Sequence, residues 1–329
     1  MLLSSLAVLL AGCMAHTRIV YLQPAEISLP PEVDVIAPVD RLSTPVSEVA
    51  LQEFATTLSR SPRVKVVDRS VAQQAYASVP SLVGSTLAGD TLKDICTRTK
   101  ATGVAVLEGL QPGEAWMIDR HPETRNEKVT VTDPATGQSV TSDVQRTVEM
   151  YRATVNVSMG SLWRTYDCSG QVIDQADIGS SDAASGEGLT DSEARANVPP
   201  IPALHNQAAG RTGAAYARRI APYQVESLRT YYPKGSKDMK SARKAVDLQD
   251  WGKAQSLWES ASASEKDKVK GKAFYNLAVA AEQSGHIKKA VNYAEKADNL
   301  LSNNKTSNYL AVLQQRQKDT NRLKEQMSE

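Results

Sequence analysis

Leu248-Gln249-Asp250-Trp251-Gly252-Lys253-Ala254, continued by Leu257-Trp258-Glu259-Ser260-Ala261, has a second version further on. It is Ser284-Gly285-His286-Ile287-Lys288-Lys289-Ala290, continued by Tyr293-Ala294-Glu295-Lys296-Ala297. Ala290 follows Ala254 by 36 residues, as Ala297 follows Ala261. Self-similarity at such a period signals stacked helical pairs, none of which can bury its apolar face alone. Side-chain size supplies the packing logic. Ala254, Ala261, Ala280, Ala290 and Ala297 let paired helices approach closely. Trp251, Trp258, Phe274, Leu277 and Tyr293 fill the spaces between turns, and Gly285 permits the tight turn between helices. The spacing predicts helices near 237–248, 250–262, 264–283, 286–301 and 306–326. Ser264 with Asp267 is placed to open the third as a capping box, and the last helix reads as a polar cap.

The segment Ala273-Phe274-Tyr275-Asn276-Leu277-Ala278, with Ala280, Gly285, Ala290, Tyr293 and Ala297 beyond it, resembles a tetratricopeptide repeat. It departs in having Ala278 where Gly is usual and Ser302 where Pro is usual. Two repeats fall short of the three normally needed for stability. The region 236–329 is therefore expected to lean on the rest of the chain or on a partner.

Working back toward the N-terminus, residues 18–232 read as a mixed α/β domain. Strands are expected at Ile19–Leu22, Val33–Ile36 and Val64–Val67. A helix is expected after Thr44-Pro45, with Leu51, Phe54 and Leu58 on its core face. A second helix carries Cys96, and the apolar run Val104–Leu107 suits a strand buried on both faces. Two antiparallel hairpins follow, with turns at Asp133–Gly137 and Asp167–Gly170. Gly179–Gly188 reads as a flexible loop. A helix near Ala203–Ile220 carries the small-residue stripe Ala209, Gly213, Ala217. The fold class is thus mixed α+β, ending in all-α helical hairpins. At the level of architecture alone, the strand–helix–strand opening with Val66-Val67-Asp68-Arg69 resembles N-terminal domains of periplasmic envelope-assembly lipoproteins, including the curli-secretion type.

Met1–Cys13, MLLSSLAVLLAGC, is apolar and uncharged but too short to span a bilayer. It has the length of a signal-peptide core. Its end, Leu10-Ala11-Gly12-Cys13, resembles the bacterial lipobox, which implies cleavage after residue 12 and acylation of the Cys13 thiol. Residues 13–17 would form a lipidated tether, reaching at most about 17 Å. Met14, rather than Asp, implies the outer membrane by the same resemblance, and a periplasm-facing body is expected. A signal n-region should be basic, yet Arg18 is the first basic residue, so the true start is expected upstream of Met1.

Catalytic signatures are missing from the sequence: no Gly-x-Ser-x-Gly elbow, no phosphate loop and no His-Glu-x-x-His. The four His, at 16, 121, 205 and 286, are not spaced as metal ligands, so neither a metal nor a cofactor is expected. Cys96 reads as a small buried hydrophobe and Cys168 as a turn residue, with a bridge between them as the alternative. Trp116–His121, between two predicted strands, mixes an aromatic, an acid, a base and a His.

The lipobox, the mixed domain and the paired helices, reached through Tyr231–Gly235, together resemble a family of uncharacterised bacterial lipoproteins with a tetratricopeptide-like C-terminal region. That resemblance carries no catalytic residues. Three readings follow. The first is a membrane-anchored envelope scaffold, not an enzyme, that binds a protein partner on its helical repeats. The second is a small-ligand binder or enzyme with a site near Trp116–His121 and the Gly179–Gly188 loop. The third is a component of a larger assembly machine with homo-oligomer contacts.

A formal charge of +1 on 329 residues argues against a nucleic-acid binder. The neutrality is a cancellation, however. Residues 1–225 hold 19 basic and 24 acidic residues, while 226–329 hold 19 basic and 13 acidic, with 15 of the 19 lysines in the second part. The helical region is therefore expected to attract an acidic partner, the membrane, or the chain's own N-terminal domain.

Overall fold

A computed structural model describes residues 14–78, 86–132 and 134–327. Cys13, the expected acylation site, lies outside the described residues, as does the signal segment before it. The chain forms two compact units. One comprises Leu29–Arg60 and Val64–Ile220, the other Met1–Ser28, Ser61–Arg63 and Ala221–Glu329.

The strand opening the second of these, β1 (Ala15–Gln23), precedes the sheet of the first. That sheet begins with β2 (Val35–Asp40), α1 (Pro45–Leu58), β3 (Lys65–Val66), α2 (Arg69–Ala77) and α3 (Gly89–Thr99). It continues with β4 (Gly103–Thr132), β5 (Ser139–Asp167), β6 (Val172–Gly188), α4 (Asp191–Ala196) and α5 (Ile201–Ile220). Its order is β3-β2-β4-β5-β6, with β3, β2 and β4 parallel and the two hairpins antiparallel. This is the mixed α+β architecture expected. Val104–Leu107 is fully buried, consistent with helices on both faces. On one face Phe54 of α1, Trp163 of β5 and Tyr216 of α5 stack, with ring centroids 4.9–5.8 Å apart. On the other, Ala72 of α2 and Leu92 and Ile95 of α3 pack with Val104, Val106 and Tyr166. Thr44 caps α1 with a full capping box, its hydroxyl accepting from the Ser47 amide. Gly213 is where α5 crosses α1: a Cβ there would overlap the Ala50 carbonyl oxygen.

Three expectations need correction here. Gly179–Gly188 is not a loop but the second half of β6, paired with β5 from Gly160↔Gly179 to Tyr151↔Gly188. Its even-numbered residues from Ala176 onward face inward and its odd-numbered ones outward. They are small because helices lie against them. A Cβ on Gly186 would strike the Ala194 carbonyl, and one on Gly188 would strike Glu193. Trp116–His121 is not a connection between strands either; it sits within the 30-residue β4. The alternative reading of the cysteines also prevails: Cys96 of α3 and Cys168, in the β5–β6 turn, form a disulfide with Cα atoms 5.9 Å apart. Beyond the end of β6, residues 122–149 of β4 and β5 continue as a two-stranded ribbon. One side of that ribbon pairs Thr124 with Thr147, Thr130 with Thr141 and Thr132 with Ser139.

In the other unit, β1 pairs antiparallel with β7 (Tyr223–Tyr231) over its whole length, from Ala15↔Tyr231 to Gln23↔Tyr223. This two-stranded sheet is separate from the five-stranded one. Ile19 and Tyr231 of this pair are buried in the same core as the C-terminal helices. Those helices are α6 (Lys237–Asp247), α7 (Trp251–Ser262), α8 (Asp267–Gln283), α9 (Ile287–Leu301) and α10 (Asn304–Met327). All five lie near their expected positions. The third starts later than Ser264, because its N-cap is Lys266 and no side chain caps it; the Ser264 hydroxyl accepts from the Lys266 amide instead.

Candidate functional site

Among the pattern residues, Ala254, Trp258, Ala261, Leu277, Ala280, Ala290 and Ala297 are buried in the helical core, while Trp251, Phe274 and Tyr293 are half-buried against it. Gly285 takes a φ of +75° at the α8–α9 turn, a conformation glycine adopts without strain. The periodicity of the sequence therefore marks packing positions. The surface features draw on Tyr232, Lys272 and Lys305, which the pattern passes over, and on Phe274 and Tyr293, which it includes.

One such feature is built around Tyr232, just after β7. Asn276 of α8, fully buried, accepts from the Tyr232 amide (2.8 Å) and donates to its carbonyl (2.7 Å), fixing the backbone. The Tyr232 ring meets Tyr275 edge-on at 5.2 Å. Lys272 of α8 and Lys305 of α10 both reach its face, with Nζ atoms 5.3 and 5.6 Å from the ring centroid. A second aromatic platform, Phe274 stacked with Tyr293, holds Lys296 at 5.5 and 5.9 Å. Burial lowers the Lys305 pKa. Among the described residues none of these three lysines has an ion-pair partner. Ammonium groups held over aromatic rings gain about 0.5–1 kcal/mol each when exposed. They stay positioned without a carboxylate, and so remain available to one supplied by another molecule.

Behind this surface lies a buried ionic knot. Glu282 of α8, with no side-chain exposure, accepts two hydrogen bonds from Arg229 of β7 (2.9 Å each), one from Tyr309 (2.7 Å) and one from Arg316 of α10. Burial pushes the Glu282 carboxyl upward, but the two guanidinium groups and the phenol outweigh it and hold the pKa below the ordinary carboxylate value. The Arg316 guanidinium also lies 3.6 Å from the Tyr21 ring centroid, so β1, β7, α8 and α10 are joined at one point.

In the sheet unit the two segments of the ligand-site reading come together. Ile118 lies opposite Ala153, and Ala153 opposite Gly186. Arg195 of α4 stands 5.0 Å from the Trp116 ring centroid. His121 Nε2 is 4.0 Å from Glu187, which is held by Arg152. Arg152 keeps the Glu187 pKa below the ordinary value. Trp116, Ile118 and Gly186 thus lie on the face covered by α4, whereas His121, Arg152 and Glu187 lie on the opposite face, where the charges pair with one another. Among the described residues no group of three or more His, Cys, Asp or Glu could hold a metal ion, and no helix is long and apolar enough to cross a membrane.

Two families match the chain. A domain of unknown function (DUF8603) matches residues 45–232, more than half the chain, and the protein belongs to that family. A second domain of unknown function (DUF6340) matches residues 240–315, within the helices α6 to α10. No curated protein and no solved structure matches the chain.

Proposed function

We propose that this protein is a membrane-anchored lipoprotein of the cell envelope, acting as an interaction or assembly scaffold rather than as an enzyme. Cys13 carries the lipid anchor in the outer membrane, the body faces the periplasm, and the helical pairs α6–α7 and α8–α9 act as tetratricopeptide-like repeats. The observation that carries the reading is the set of aromatic-seated lysines, Lys272, Lys296 and Lys305, which fits an acidic protein partner. The Cys96–Cys168 disulfide supports an oxidising compartment.

Crosslinking in cells with the full chain, followed by identification of captured proteins, tests the proposal. The expected result is a partner whose capture weakens with rising ionic strength and drops at least tenfold in a Lys272→Glu, Lys305→Glu variant. Capture indifferent to salt and to those changes refutes the acidic-partner assignment. Cys13→Ser is expected to move the protein from the membrane to the soluble fraction; an unchanged distribution refutes the anchor.

A further inference from the structure

The two-stranded sheet β1–β7 has unlike faces. Side chains alternate along each strand, so Thr17, Ile19 and Tyr21 of β1 share a face with Ser227, Arg229 and Tyr231 of β7. That face is the inner one. Ile19 and Tyr231 are buried in the core of the helices, the Arg316 guanidinium of α10 lies on the Tyr21 ring, and Arg229 donates to Glu282 of α8. The outer face carries Arg18, Val20 and Leu22 opposite Leu228, Glu226 and Gln224. Among the described residues nothing covers it: Val20 is 59% exposed and Leu228 61%. A solvated sheet face is ordinarily polar. Here two apolar side chains lie diagonally across the pair, Val20 opposite Glu226 and Leu228 opposite Arg18. Arg18 and Glu226 take the other diagonal and pair at 3.3 Å, so these four residues form an apolar patch with no net charge.

The length of chain before the sheet points to what lies against this face. β1 begins at Ala15, earlier than the expected Ile19, and Ala15 is only two residues beyond Cys13. At full stretch that span is about 7 Å, against the roughly 17 Å expected of a tether ending at residue 17. With Cys13 acylated, the start of β1 is held at the level of the lipid headgroups. The strand is nine residues and about 30 Å long, so it either stands away from the bilayer or lies along it. Standing leaves Val20 and Leu228 in water, whereas lying removes them from it. Helices occupy the inner face, so the outer face is the one that can turn to the lipid.

We infer that the outer face of β1–β7 rests on the lipid bilayer, with Val20 and Leu228 entering the headgroup boundary and Arg18 meeting lipid phosphates. The inference rests on the anchor proposed at Cys13. Two apolar side chains make a weak membrane site by themselves. Anchoring makes their contact intramolecular, and a short tether gives an effective concentration of about millimolar. Arginine suits the boundary, since its stem lies along apolar surface while its guanidinium forks onto phosphate. Because the patch is neutral, its contact depends on apolar burial and hardly on salt, unlike the acidic partner proposed for Lys272, Lys296 and Lys305. Since α8 and α10 pack on the inner face, this placement turns them away from the bilayer.

The test uses the full chain, purified in detergent from the membrane fraction and reconstituted into phosphatidylethanolamine–phosphatidylglycerol vesicles with nitroxide-labelled headgroups. Leu228→Cys and Leu248→Cys each supply one thiol for a fluorophore, since Cys96 and Cys168 are bridged and Cys13 is acylated. Leu248, 80% exposed between α6 and α7, is the reference position. Both labelled proteins should float with the vesicles. Nitroxide quenching should be at least fivefold stronger in Leu228→Cys than in Leu248→Cys, and unchanged in about 0.5 M salt. Adding Val20→Asp should bring the Leu228→Cys quenching down toward the reference without releasing the protein from the vesicles. The inference alone is overturned if the protein floats but the two positions are quenched equally. Dimerisation of unlabelled Leu228→Cys through its thiol assigns the face to a second copy and overturns it too. Absence from the membrane fraction, or failure to float, overturns the anchor and the inference with it.

Discussion

Changing Glu282 to Gln keeps the side-chain volume and removes the charge that neutralises Arg229 and Arg316. Those guanidinium groups are only 13% and 12% exposed, and the carboxylate not at all, so the variant strands two nearly buried cations against each other. Breaking a buried pair by removing one partner costs about 3–5 kcal/mol. The residual exposure of the arginines points to the lower end, about 3 kcal/mol, which corresponds to roughly a hundredfold in an opening equilibrium. Hydrogen exchange of the α8 amides under native conditions reads that opening directly. The expected result is exchange about a hundredfold faster in Glu282→Gln, with β1 and β7 amides accelerated in step because Tyr21 and Arg229 join the same knot. The sign with pH follows from the lowered Glu282 pKa. Its stabilisation is fully present above the ordinary glutamate value of 4.5 and is lost as pH falls through the lower value of the folded state. Glu282→Gln should flatten this acid limb. Exchange changed by less than threefold, or an acid limb unchanged in the variant, would show that the knot does not hold the unit together.

Three further outcomes are expected. Cys168→Ser opens a loop of 72 residues and should lower the unfolding free energy by about 4 kcal/mol on the chain-entropy account; urea titration of oxidised protein and variant checks it. Gly186→Ala should cost about 1–3 kcal/mol because α4 lies against it, whereas Gly179→Ala, with open space around it, should fall within about 0.5 kcal/mol of the unaltered protein. Equal effects at the two glycines would contradict the strand assignment. Gly213→Ala should destabilise by about 2 kcal/mol despite the better helix propensity of alanine, and a gain in thermal midpoint would show that α1 and α5 can separate freely.

The helices were legible wherever small and aromatic residues alternate with the helical period, as in Ala254–Ala261 and Ala290–Ala297. The parallel strands were legible where apolar residues run together, as in Val104–Leu107. Gly179–Gly188 misled because glycine, serine and alanine carry two opposite meanings. In a solvated segment they signal freedom; beneath a helix they signal close approach, and only the partner element distinguishes the two. Strand β7 went unread since its alternation in Tyr223–Tyr231 is interrupted by charged residues, one of which, Arg229, turns inward to Glu282. The buried acid itself sits in Ala280-Ala281-Glu282-Gln283, and its burial depends on arginines 53 residues before and 34 residues after it. The Tyr232–Lys272–Lys305 cluster likewise draws on segments 40 and 33 residues apart, which no local pattern links. The lysine excess of 226–329 was the one signal that pointed toward it.

The pairing of β1 with β7 sets an order of events during synthesis. About 200 residues separate the two strands, and at roughly 5–20 residues per second β1 waits about 10–40 s for its partner to be made. The chain of the five-stranded sheet and its helices is made in that interval. If that sheet folds first, less free chain is left between β1 and β7, and the entropy cost of closing the loop falls. A translational pause or a truncation before residue 223 would then leave β1 as an exposed strand edge with Val20 and Tyr21 beside it, open to pairing with another chain. Among the described strands, the one made earliest therefore waits longest for its partner.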